Sequence, residues 1–193
     1  MSDLNPVPFR YIDSIDSRQH IALFYEDPEY ARLIEFRFIK NGLACGEHCI
    51  YATEEDSGSI VLRMLTYGIP FQFFQNGMIR VFQIPKMHGS HEEILKKLEN
   101  EISRITSGVV TPFRIVSRIV SDVSTIDGIS AELEIESATH GKFENFGGSL
   151  ICPYDISKIE STRRAEWMEE LRNNHHAIIY APRFAQGSVF LPK

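Results

Sequence analysis

The sequence predicts one α/β domain in three layers, a mostly parallel sheet with helices on both faces. Three observations carry that expectation. Short apolar or β-branched runs alternate with helix-length segments, the pattern of strands joined by crossover helices. The runs are apolar on successive residues, so both of their faces are buried. No linker, repeat or low-complexity segment divides the 193 residues, a length that buries roughly 70% of its unfolded surface around one core.

Residues 1–18 are polar, with Pro6 and Pro8, and read as an N-terminal arm laid on the surface or partly disordered. The domain then occupies 19–193. His20 to Tyr25, H-I-A-L-F-Y, is a strand buried on both faces. Asp27-Pro28 supplies an N-cap and a proline in the first helical turn, and Tyr30, Ile34 and Phe38 mark an apolar stripe that ends at Asn41-Gly42. Glu47 to Thr53 is a second strand; Ser57 opens a helix with Ile60, Val61, Met64 and Leu65 inward, closed by Gly68. Met78 to Ile84 is a third strand, followed by a long helix around Ile94, Leu98, Ile102 and Ile105. Phe113 to Val123, β-branched throughout, reads as one strand. Ile129 to Lys142 contains a strand-like alternation at Glu132, Leu133, Glu134, Ile135 and Glu136, yet its place between two strands favours a crossover helix. Gly148 to Cys152, a helix over Thr162 to Asn174, Ala177 to Tyr180 and a short strand near Ser188 to Leu191 complete the pattern.

Composition narrows the function classes. Apolar content of 43% and charge of 24% are those of a soluble globular domain. A net charge of -6 with no Lys/Arg cluster argues against direct nucleic-acid binding. No apolar run has the length to span a bilayer, the N-terminal M-S-D-L-N-P lacks the apolar core of a signal peptide, and three cysteines cannot all pair. The expectation is a cytoplasmic protein with reduced thiols and no membrane partner.

The informative stretch is Asn41 to Asp56, where Glu54 and Glu55 stand at the carboxyl end of the second strand. In an open α/β sheet ligands bind at that end. Paired carboxylates there serve as a general base, hold a metal or accept hydrogen bonds from a ligand, unless they form only a solvated turn. Asp122 ends another strand further on.

Glu54 and Glu55 in Y-A-T-E-E-D and Asp122 in R-I-V-S-D-V-S-T resemble the glutamate pair and magnesium-supporting aspartate of RecA/KaiC-type ATPases. If that strand order holds, the three carboxylates lie near one another and raise one another's pKa, unless a cation or Arg118 relieves them. The resemblance fails at the phosphate loop. The first strand is followed by F-Y-E-D-P-E-Y-A-R, with neither glycine nor lysine, and Glu26, Asp27 and Glu29 place negative charge where a triphosphate would sit.

The chain is similar to the MEDS family, the methanogen/methylotroph sensory domain, whose members look like KaiC-type domains without the phosphate loop. The matching pieces are His20 to Tyr25, Gly42 to Glu55, Ile151 to Asp155 and the late histidine, His175 or His176, before an apolar strand. The resemblance implies sensing of a small organic molecule in the pocket vacated by nucleotide. It also implies output through a signalling or regulatory protein partner, since such domains are often fused to DNA-binding or kinase modules. The related ATPases form rings, so self-association into a homo-oligomer stays open.

Other residues are weighed on their own chemistry. His20 either donates to a ligand or caps a neighbouring carbonyl. Tyr25 and Glu26 occupy the former phosphate position. Cys45, His48 and Cys49 form C-x-x-H-C, but His48 and Cys49 point to opposite faces of a strand, so Cys49 reads as a small core side chain and no metal or cofactor is expected. Tyr154, with Cys152 and Asp155, could wall the ligand pocket, and His175-His176 either joins it or ends a helix. Phe71, Phe73 and Phe74 fit a core, a ligand-pocket wall or an interface patch. The ligand set is therefore His20, Tyr25, Glu26, Glu54, Glu55, Asp122, Tyr154 and His176, in a non-catalytic sensor. The alternatives are a nucleotide- or metal-dependent hydrolase using the three carboxylates, and a module that docks on a KaiC-like ATPase or kinase.

Overall fold

The structure, a computed structural model, describes residues 6–119 and 121–191. Its elements run α1 (Val7–Asp13), β1 (His20–Tyr25), α2 (Pro28–Ala44), β2 (His48–Thr53), α3 (Ser57–Tyr67), the single turn α4 (Gln72–Gln75), β3 (Ile79–Gln83), α5 (His91–Thr106), β4 (Phe113–Ser117), α6 (Ile126–Gly141), β5 (Gly148–Asp155), α7 (Arg164–Asn173), β6 (Ala177–Ala181) and β7 (Ser188–Phe190). The strands form one sheet in the order β3-β2-β4-β5-β1-β6-β7. Every pairing is parallel except the antiparallel edge pair β6–β7.

Two cores sandwich the sheet, because successive strand residues face opposite sides. Ile21, Leu23 and Tyr25 of β1 pack with Tyr30, Ile34 and Phe38 of α2 and Ile60 and Met64 of α3. Ala22 and Phe24 face the other way, against Ile94 and Leu98 of α5, Ile129 and Leu133 of α6 and Trp167 and Leu171 of α7. The α/β three-layer architecture is the one the alternating runs predict.

Three segments depart from expectation. Part of the N-terminal arm is a helix: Ile12 of α1 is 1% exposed and buried in the α2-side core, and the guanidinium of Arg37 grips Asp13. Pro8 is tolerated because it sits in the first turn, where its missing N–H has no intrahelical partner to lose. The expected strand Phe113 to Val123 ends early. The Arg118 N–H still donates to Ala52 O, but the Ser121 N–H turns away to Glu132 Oε2 of α6, and residue 120 lies outside the described residues. Strand β5, by contrast, runs on past Cys152 through Pro153. The Leu150 N–H donates to Gln19 O on the β1 side, so alternation aims position 153 at the β4 side, where pairing has already stopped at Ile151. The missing donor therefore costs nothing, and β4 and β5 part at their carboxyl ends.

Candidate functional site

That parting opens a cleft of about 460 Å³ at the carboxyl ends of β1, β2, β4 and β5. Its size lies within the roughly 300–1,000 Å³ typical of small-molecule sites. Tyr25, Glu54, Glu55 and Asp122 all line it. Parallel strands end on one sheet edge, so carboxylates far apart in sequence are delivered to one place.

Each acid is held differently. Glu55 accepts from the Arg32 Nη2 at 2.9 Å. Asp122 turns back on its own loop, its Oδ1 accepting from the Ser124 N–H at 3.2 Å and the Ser124 hydroxyl at 2.5 Å. Glu54 is exposed and makes no ion pair among the described residues. Arg118 lines the cleft but is not the counter-ion of these acids. Its guanidinium grips the fully buried Glu35 through Nε (3.0 Å) and Nη2 (2.5 Å), while its Nη1 donates to the Tyr25 hydroxyl at 3.2 Å. The Tyr51 hydroxyl donates at 2.5 Å to Glu35 Oε2, the oxygen that also accepts from Arg118 Nε. Burial opposes the charge on Arg118, but Glu35, Tyr51 and Tyr25 together outweigh it and raise the guanidinium pKa well above its ordinary value. Tyr25 is fixed as a cleft wall in this way, with the Arg118 guanidinium 5.4 Å from its ring centroid.

At the former phosphate position the first amides of α2 are occupied. Asp27 Oδ1 accepts from the Glu29 N–H at 3.0 Å and the Tyr30 N–H at 3.2 Å. These are donors that a helix N-terminus would otherwise offer to an anion. Glu26, the next residue after β1, is exposed and does not line the cleft.

A sequence model of the MEDS family, the methanogen/methylotroph DcmR sensory domain, matches residues 19–176. The chain belongs to the MEDS family. Its fold is shared with a KaiC-like protein from the hyperthermophilic archaeon Pyrococcus horikoshii OT3, at a TM-score of 0.57 and 14% identity, over 91% of this chain and 78% of that one. At that identity the likeness establishes the fold alone. No curated protein matches the sequence. Among the described residues no helix is long and apolar enough to cross a membrane.

The remaining predicted residues of this MEDS domain lie outside the cleft. His20 and Tyr154 sit on the α6 face of the sheet, both fully buried. The His176 Nδ1 accepts from the His20 N–H at 3.0 Å, with its ring 4.8 Å from that of His140. The reason is strand parity: positions 20, 22 and 24 of β1 and 150, 152 and 154 of β5 face α6, whereas Tyr25 faces α2. There α6 turns Glu132 and Glu136 inward, one helical turn apart, onto Tyr154, whose hydroxyl lies 3.1 Å from Glu132 Oε1 and 2.5 Å from Glu136 Oε1. Burial and the neighbouring Glu136 charge push Glu132 up, while His175 and His20 overcome burial and hold Glu136 down. Both carboxylates thus share the Tyr154 hydroxyl, and Glu132 is the one pushed toward its neutral form.

The sequence reading missed Arg32, Glu35, Glu132 and Glu136. A signal was present, since each is a charge set within a helix's apolar stripe: Glu35 beside Ile34, and Glu132 and Glu136 among Ile129 and Leu133. Of the C-x-x-H-C run, Cys45 is exposed and Cys49 is a core thiol facing Ile39 O at 3.5 Å.

Proposed function

We propose that this MEDS domain is a non-catalytic sensor that takes a small organic molecule into the cleft and passes the signal to a protein partner in the cytoplasm. What supports this reading most is the pairing of a cleft whose carboxylates, Glu54, Glu55, Asp122 and Asp155, stand beside Lys86 and Lys158, with an α2 N-terminus already capped by Asp27. Acceptors on the cleft floor favour a ligand that carries hydrogen-bond donors, and Met87, Val123 and Pro153 supply apolar contact. At the former phosphate position a triphosphate would meet amides already occupied by Asp27. Glu26 takes no part in the cleft, and His20, Tyr154 and His176 are assigned no ligand contact.

The output has a physical route. Ser121 lines the cleft beside Asp122, and its backbone N–H donates to Glu132 of α6 at 3.0 Å. A ligand that moves the Asp122 loop therefore pulls on α6, whose outer surface is available to a partner.

The test is thermal denaturation of the full chain across a panel of small amines, alcohols and hydroxy acids, with Mg-ATP included. The expected result is saturable stabilisation by a panel member, lost in the Glu54→Gln/Asp122→Asn double variant, and no shift with Mg-ATP. A flat panel, or stabilisation that the double variant retains, counts against the reading. The same three carboxylates also support a metal-assisted hydrolase as a second reading. Turnover of an ester or nucleotide that Glu55→Gln abolishes would establish that one instead.

A further inference from the structure

We propose that His20, Glu136, Cys152 and His175 form a closed, tetrahedral zinc site buried between α6 and the sheet. The four residues come from the start of β1, from α6, from β5 and from the residue pair leading into β6. One ligand atom from each lies within 4.8 Å of all the others, and all four side chains are buried. His20 Nε2 is 3.0 Å from Glu136 Oε2 and 3.7 Å from Cys152 Sγ, and His175 Nε2 is 3.5 Å from the same Glu136 oxygen. Bonds of about 2.0–2.1 Å to nitrogen and oxygen and about 2.3 Å to sulfur place tetrahedral ligand atoms roughly 3.3–3.6 Å apart. These three separations lie within a few tenths of an ångström of that range, and the remaining ones are at most 4.8 Å.

The independent observation is the state of His175. Its Nδ1 lies 2.6 Å from Leu171 O. A carbonyl only accepts, so Nδ1 carries the hydrogen. Nε2 on the other side of the ring is fully buried, has no hydrogen-bond partner among the described residues and lies 3.5 Å from the Glu136 carboxylate. A cation held between this nitrogen and the carboxylate would give both of them a partner. A ring nitrogen fixed by a backbone carbonyl is also the usual arrangement of a metal-bound histidine. Glu136 has the corresponding support on its far oxygen, from the Tyr154 hydroxyl.

The ligand chemistry selects the ion. Two imidazoles, a carboxylate and a thiolate suit zinc, and with the Cys152 proton released to solvent the charges of Glu136 and Cys152 balance the dication. Four protein ligands leave no open position, so the ion would be structural, tying α6 to β1, β5 and the entry to β6. The proposal is separate from the cleft and does not depend on what binds there.

Cobalt(II) is the probe, added to the chelator-treated full chain. The expected result is one cobalt per chain with a thiolate-to-cobalt charge-transfer band and the intense visible bands of tetrahedral coordination, competed away by zinc. Cys152→Ser loses the charge-transfer band, while Cys45→Ser, at an exposed thiol, keeps it. Tyr154→Phe, which leaves all four ligands in place, weakens cobalt affinity about 10–100-fold. His175→Gln loses the tetrahedral bands, which keeps the proposal testable should Cys152→Ser not fold by circular dichroism. Absence of cobalt binding by the folded chain, or a charge-transfer band that survives Cys152→Ser, overturns it.

Discussion

The pair formed by Glu35 and Arg118 gives the sharpest test of how the cleft is built. Glu35 has no exposed side-chain surface, and that of Arg118 is 14% exposed. Replacing Glu35 with Leu strands a charged guanidinium whose other acceptor among the described residues is the Tyr25 hydroxyl. Breaking one side of a buried pair costs roughly 3–5 kcal/mol. For a chain of this size each kcal/mol corresponds to about 2–4 °C, so melting should fall by about 6–20 °C. Arg118→Met costs a similar amount, because Glu35 then keeps only the Tyr51 hydroxyl. The double variant Glu35→Leu/Arg118→Met removes both charges and leaves the Tyr51 hydroxyl as the orphan, at about 1–3 kcal/mol. Adding Tyr51→Phe recovers most of that. Urea denaturation followed by circular dichroism measures the cycle, with unchanged slopes confirming comparable unfolded states. Single effects that add to within about 0.5 kcal/mol in the double variant would show that the two side chains act independently, and the account of Tyr25 as a wall held by Arg118 would fall with them.

Three further predictions follow from separate parts of the molecule. A Cβ on Gly128 would lie 2.0 Å from the Asp122 carbonyl oxygen, so Gly128→Ala should destabilise by roughly 1–3 kcal/mol in urea titrations and push the Asp122 loop toward the cleft; an unchanged midpoint would mean that the α6 entry is loose. Alkylation of the native chain should label exposed Cys45 at once. It should spare Cys49, whose thiol is pushed up to about 12 by burial; mass spectrometry that finds Cys49 modified without denaturant contradicts the packing. The Glu160 carboxyl is held down to about 2 by the Thr162 hydroxyl and N–H and by the Trp167 indole. A depressed folded pKa contributes stability that is present above the ordinary value of 4.5 and lost as pH falls toward 2. The gap in melting temperature between wild type and Glu160→Gln should therefore close over that interval, and a gap independent of pH would rule the linkage out.

The sequence by itself determined what each segment is. Apolar runs too continuous for a half-exposed strand gave a sheet buried on both faces, and Asp27-Pro28 gave the start of α2. The nearness of Glu54, Glu55 and Asp122 was expected only from the RecA-like strand order; all three line the cleft, with Asp122 in the loop after β4 rather than at a strand end. Tertiary structure alone decided which side chains meet. Arg118 answers to Glu35, 83 residues away, rather than to the cleft acids. His20 and Tyr154 leave the expected pocket for a buried cluster because strand parity turns them toward α6. Glu132 and Glu136 lie in a segment the sequence already assigns to a crossover helix, and only packing turns them inward onto Tyr154. The physical reason is common to all of these. Backbone preference and apolar periodicity are local properties, written within a dozen residues, whereas the partner of a buried charge is set by strand order, and the order β4-β5-β1-β6 joins segments that the chain itself keeps far apart.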